Sequence, residues 1–81
     1  MATTRFCFQT DSVADDVVHW CHVAQVGDEA IIAVPTKAYI VRLIRRANNC
    51  IWWRLQGEHG ATVSLDDAVY RLQLLQSYAE A

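Results

Sequence analysis

Glycine, proline and lysine are scarce in this chain, and each scarcity excludes something. The three glycines, Gly27, Gly57 and Gly60, never form a Gly-x-Gly-x-x-Gly or Walker loop, which excludes those backbone cradles for nucleotide phosphates. One proline, Pro35, and no Gly/Ser-rich stretch leave no linker, so residues 1–81 read as a single compact domain. No apolar run approaches the ~18–20 residues needed to span a membrane. Cysteine is limited to Cys7, Cys21 and Cys50, an odd and dispersed set without a Cys-x-x-Cys pair. No signal-like leader precedes the first strand-like segment, so reduced thiols in a cytoplasmic protein are expected. No paired-carboxylate arrangement in a plausible cleft is evident, and Asp15-Asp16 and Asp66-Asp67 both sit where a helix begins and its dipole favours negative charge.

Apolar residues, by contrast, are abundant. They make up 53% of the chain, with three Trp, three Tyr and two Phe. A domain of this size buries only about 60–65% of the surface its unfolded chain exposes, so some of that material should remain outside as an interface. The net charge of −2 argues against bulk attraction to nucleic acid or anionic lipid. Its basic side is almost entirely arginine, six against the single Lys37, the residue that suits planar bidentate contacts.

Local patterns predict the order β-α-β-α-β-β-α. This is a small α+β domain whose mixed or antiparallel sheet has 3–4 strands, with helices mainly on one face. Phe6 and Phe8 alternate with Cys7 in a short first strand. Asp11 or Ser12 caps a helix with Asp15 as the capping-box partner, and Val13, Val17, Trp20, Cys21 and Ala24 form its apolar face. The β-branched residues of 17–26 offer a competing strand, with Gly27-Asp28 as a hairpin turn, but cap and periodicity agree on the helix.

Ala30-Ile31-Ile32-Ala33-Val34 reads as a buried strand. Pro35 opens a second helix, with Ile40, Leu43, Ile44 and Ala47 as its stripe and Asn48-Asn49 as its stop. Ile51, Trp53 and Leu55 alternate with Trp52 and Arg54 in a further strand. A turn over 57–60 leads to a partner strand at 61–63. Ser64, with Asp67 behind it, caps a last helix built on Leu65, Ala68, Val69, Leu72, Leu75 and Ala79.

Four constellations bear on function. Asp15, His19 and His22 fall within roughly 60° of one another on a helix, an arrangement that would suit a divalent metal if further ligands joined. The plain alternative is a solvated face with an Asp–His pair at i, i+4, and neither a bound metal nor any other cofactor is expected. Cys21 and His22 point to different sides of that helix. Cys7 or Cys50 could meet His59 only through the fold, and their apolar neighbours favour burial over a thiolate nucleophile. Lys37, Arg42, Arg45 and Arg46 avoid the apolar stripe of the second predicted helix and would make a basic face for phosphates or an acidic protein. Trp52, Arg54 and Gln56 share the strand face opposite Ile51, Trp53 and Leu55, where an exposed Trp beside Arg has hot-spot chemistry.

The expectation is a non-enzymatic protein–protein interaction module: a small adaptor, regulator or inhibitor that covers a partner surface. In size it resembles the inhibitors that phages and mobile elements encode, anti-CRISPR proteins among them. Arg42, Arg45, Arg46, Trp52 and Arg54 are its expected contact residues. A nucleic-acid-binding domain using Arg42, Arg45 and Arg46 is the alternative, and a metal protein using Asp15, His19 and His22 the third. Sheet edges at 6–9 or 61–63 would allow a homodimer.

Overall fold

A computed structural model describes residues 2–8, 12–34 and 39–80, with side chains through Ser77. The elements are β1 (Thr3–Cys7), α1 (Val13–Val23), β2 (Glu29–Val34), β3 (Tyr39–Ala47), β4 (Cys50–Leu55), β5 (Ala61–Ser64) and α2 (Leu65–Glu80). The strands form one five-stranded sheet in the order β1-β2-β3-β4-β5. β1 and β2 are parallel and the remaining pairs antiparallel. It is an α+β domain with five strands instead of the expected three or four.

The extra strand is where a helix was expected. Described residues 39–47, the body of the second predicted helix, are β3. Their apolar residues satisfy both periods: Ile40, Leu43, Ile44 and Ala47 fit a helical stripe, while Val41 and Leu43 alternate inward along a strand. Tertiary pairing decides, because β3 supplies the hydrogen-bonding partner that β2 and β4 both need. Asn48-Asn49 is therefore a two-residue hairpin turn between Ala47 and Cys50, with Asn49 in the left-handed region at φ 58°. Asparagine tolerates that conformation better than most side chains. Pro35 and Lys37 lie outside the described residues.

Both helices cover one face of the sheet and pack on each other. Val13, Val17, Trp20, Cys21 and Ala24 from α1 and its C-cap are buried, as their spacing predicts. They join Leu65, Ala68 and Leu72 of α2 over Ala30, Ile32, Val41, Leu43, Ile51 and Trp53. Ser64 caps α2 as expected, its Oγ accepting from the Asp67 N–H at 3.1 Å. Ser12 occupies the N-cap of α1, but its side chain makes no capping hydrogen bond, and Asp11 lies outside the described residues. α1 ends at Val23, before Gly27, and Ala79 is outside the described side chains.

Candidate functional site

Among the described residues, no helix covers the other face of the sheet. Strand alternation sends Ala30, Ile32, Val41, Leu43, Ile51 and Trp53 to the core, so their sequence neighbours Ile31, Ile40, Arg42, Ile44, Trp52 and Arg54 belong to the open face. Register brings them together. Arg5 pairs with Ile31, Ile31 with Arg42, and Arg42 with Arg54, giving one transverse row with three arginines. The next row runs Glu29, Ile44, Trp52, Thr62.

Arg42 and Arg54 are directly opposed like charges, an arrangement that destabilises a sheet. Glu29 relieves half of it. Its Oε2 accepts from Arg42 Nε at 2.9 Å and from a second guanidinium nitrogen of the same residue. Arg54 has no carboxylate partner among the described residues. Its Nε donates to the Glu58 carbonyl at 3.3 Å, which holds the side chain over the 57–60 turn. Between the two guanidinia lies an open cleft of about 210 Å³, lined by Ile40, Arg42, Arg54 and Gln56. Ile40, 44% exposed, supplies its apolar wall.

Trp52 lies beside this row, half-buried against the turn before β5. A Cβ built at Gly60 would fall 2.0 Å from Trp52 Cζ2 and 2.7 Å from its Nε1. The indole therefore rests directly on the glycine backbone, and only a residue without a side chain fits beneath it. This is the familiar cover that an aromatic ring gives to a glycine near a sheet edge. The role of Gly60 was not legible in the sequence. An aromatic opposite a turn glycine is the only hint, and it needs the register to be read.

The arginines expected to act together do not. Arg42 is on the open face, whereas Arg45 follows Val41 and Leu43 toward the helices. Arg45 donates to the Ala24 carbonyl at the end of α1, and its buried Nε has no hydrogen-bond partner among the described residues. Arg46 is exposed at an irregularity in the β3–β4 register between Arg45 and Ala47. A helical Arg42/Arg45/Arg46 face thus does not exist, because the segment is a strand with a local break in its alternation. Trp52, Arg54 and Gln56 do come out on one side, with Arg42 rather than Arg45 or Arg46 as their neighbour.

Asp15, His19 and His22 are all exposed on α1. The two imidazoles edge separate grooves: His19 lies with Thr4, Phe6 and Trp20, and His22 with Asn49, Ser64 and Asp66. Among the described residues, no group of three or more His, Cys, Asp or Glu is placed to hold a metal ion. Cys21 is buried, and that burial pushes its thiol above the ordinary value, with the Arg45 charge pulling weakly the other way. Among the described residues, no helix is long and apolar enough to cross a membrane.

Compared with known proteins, the chain matches no family model, no curated sequence and no solved structure at a significant level.

Proposed function

We propose that this chain is a non-catalytic protein-interaction module, a small adaptor, regulator or inhibitor, that docks by its open sheet face onto an acidic protein surface. The observation that carries the reading is the opposed pair Arg42 and Arg54 around the Ile40 cleft. Of these two opposed arginines Arg42 alone is paired with a carboxylate, that of Glu29, so spare guanidinium donors remain, and a partner carboxylate would relieve their repulsion while accepting bidentate hydrogen bonds. Ile31, Ile40, Ile44 and Trp52 supply apolar area around the charges, the usual make-up of an interface core with arginine anchors.

A second reading, single-stranded nucleic acid lying across the sheet, draws on the same arginines and on Trp52 as a stacking platform. The first is preferred because Trp52 is the one aromatic in the central rows of the face and Glu29 sits among its arginines.

A photo-crosslinking amino acid placed at Ile40 tests the proposal in cells that make the protein. A crosslinked protein that also binds when purified, and is lost with Arg54→Glu and Trp52→Ala, supports it. Purified partners that bind both variants as well as the parent chain refute it. Tight, salt-sensitive binding of an unstructured oligonucleotide to the same face would move the second reading ahead.

A further inference from the structure

The cleft between Arg42 and Arg54 is built from two neighbouring cross-strand pairs. Arg42 stands opposite Arg54, and Ile40 opposite Gln56, whose backbone N–H donates to the Ile40 carbonyl at 2.9 Å. Guanidinia thus line one end of the cleft, and an isoleucine with a primary amide lines the other. The terminal N–H groups of Arg54 have no hydrogen-bond partner among the described residues. Glu29 pairs with Ile44, which places it on the side of Arg42 away from Ile40. Its side chain is 19% exposed and that of Arg42 45%, so the face presents the guanidinium to solvent more than the carboxylate.

Size, charge and shape together select what this cleft can take. About 210 Å³ is below the roughly 300–1,000 Å³ of pockets that enclose small-molecule ligands, so there is room for one side chain and not for a nucleotide. Arg42, Arg54 and Glu29 leave one net positive charge beside it. Arg5, the next cation of the row, is two strands from Arg42, about 10 Å and so about one Debye length away. A single negative charge completes that balance. A phosphate monoester brings close to two, and the second is opposed by Glu29 across Arg42. A carboxylate also matches the planar guanidinium fork, and an aliphatic stem behind it can lie along Ile40.

We infer, on the reading of the open face as a docking surface for an acidic protein, that the cleft receives one aspartate or glutamate side chain of the partner. Arg54 holds the incoming carboxylate. Glu29 sets the preference for that single charge over a phosphate monoester, by offsetting the charge of Arg42.

Small anions test this on the purified full chain, without a partner, by following backbone and arginine Nε–H resonances at pH 8 and constant ionic strength. Butyrate mimics the side chain and butyramide removes its charge. Methyl phosphate supplies a dianion and dimethyl phosphate the diester of a nucleic acid. Butyrate is expected to shift the Arg54 and Gln56 resonances saturably in the millimolar range, and to bind Arg54→Gln about five-fold more weakly. Glu29→Gln keeps the shape of the side chain and removes its charge. Coulomb energy doubles with the ligand charge, so a gain of about two-fold for butyrate should accompany about four-fold for methyl phosphate.

The inference is overturned by an absent butyrate response, or by a response that butyramide reproduces. Methyl or dimethyl phosphate binding the parent chain as tightly as butyrate overturns it too, as do equal gains of both anions in Glu29→Gln. Any of these results beside a crosslinked partner that is lost with Arg54→Glu removes the carboxylate site and leaves the docking surface. Selective butyrate binding beside partners indifferent to Arg54→Glu and Trp52→Ala does the reverse.

Discussion

Gly60→Ala probes the open face with little else changed. Gly60 does not have a positive φ, so its backbone accepts alanine, and the obstacle is the Trp52 ring 2.0 Å from the new Cβ. Ordinary carbon contacts need about 3.5–4.0 Å, so the indole must swing by roughly 1.5 Å or more. An indole that gives up on the order of 50 Å² of cover loses about 1 kcal/mol. Replacing glycine by alanine at a permitted conformation returns about 0.4–1 kcal/mol through the unfolded chain. The single substitution should therefore be near neutral, at most about 1 kcal/mol destabilising.

In a Trp52→Ala background the clash is gone, and the same change should stabilise by about 0.4–1 kcal/mol. Urea unfolding followed by circular dichroism completes the double-mutant cycle. The coupling should be about 1 kcal/mol, with the sign of the Gly60→Ala effect moving toward stability when the ring is removed. The Trp52 indole N–H resonance should shift in Gly60→Ala while those of Trp20 and Trp53 stay in place. Equal stabilisation in both backgrounds, with an unmoved Trp52 resonance, would show that the ring does not rest on Gly60.

Other expectations follow from the core, the turn and the termini of the elements. Leu43 is fully buried between the helices and the sheet, so Leu43→Ala should cost about 2–5 kcal/mol in urea unfolding. Asn49→Gly should hold or raise the melting temperature, while Asn49→Val, forced to positive φ, should lower stability by at least about 1 kcal/mol. The Asp28 carboxylate accepts the N–H groups of Ala2 at 3.0 Å and Gln25 at 2.9 Å, and these bonds hold it below its ordinary value. Its contribution is thus full above the unfolded carboxylate value near ~3.9 and fades as the pH falls through the lower folded value. Asp28→Asn should lower stability at pH 7 and flatten the acid limb of a stability–pH curve. A limb as steep as that of the parent chain would count against those hydrogen bonds.

The parts of the fold that could be read from the chain are those where one signal stands alone or two agree. α1 and α2 have apolar residues at helical spacing behind Ser12 and Ser64, and carboxylates in their first turns. β4 alternates so regularly that the opposite fates of Trp52 and Trp53 follow from residue order: Trp53 is 4% exposed, under Arg71 at 5.7 Å, while Trp52 lies on the open side. The segment 39–47 shows why local pattern has a limit. Ile40, Leu43, Ile44 and Ala47 satisfy a helix as well as a strand, and side chains alone do not say which hydrogen bonds their backbone will make.

Residue order by itself determined a small α+β fold rich in apolar residues, its two outer helices, and the partition of the β4 side chains between two faces. Tertiary structure alone decided that β3 is a strand, that Arg45 turns inward to the end of α1, that Arg42 faces Arg54, and that Trp52 lies on Gly60. The reason is common to all four. Periodicity is a property of neighbours along the chain, whereas register is a property of hydrogen bonds between strands, and each open-face contact depends on which residue stands opposite in the next strand.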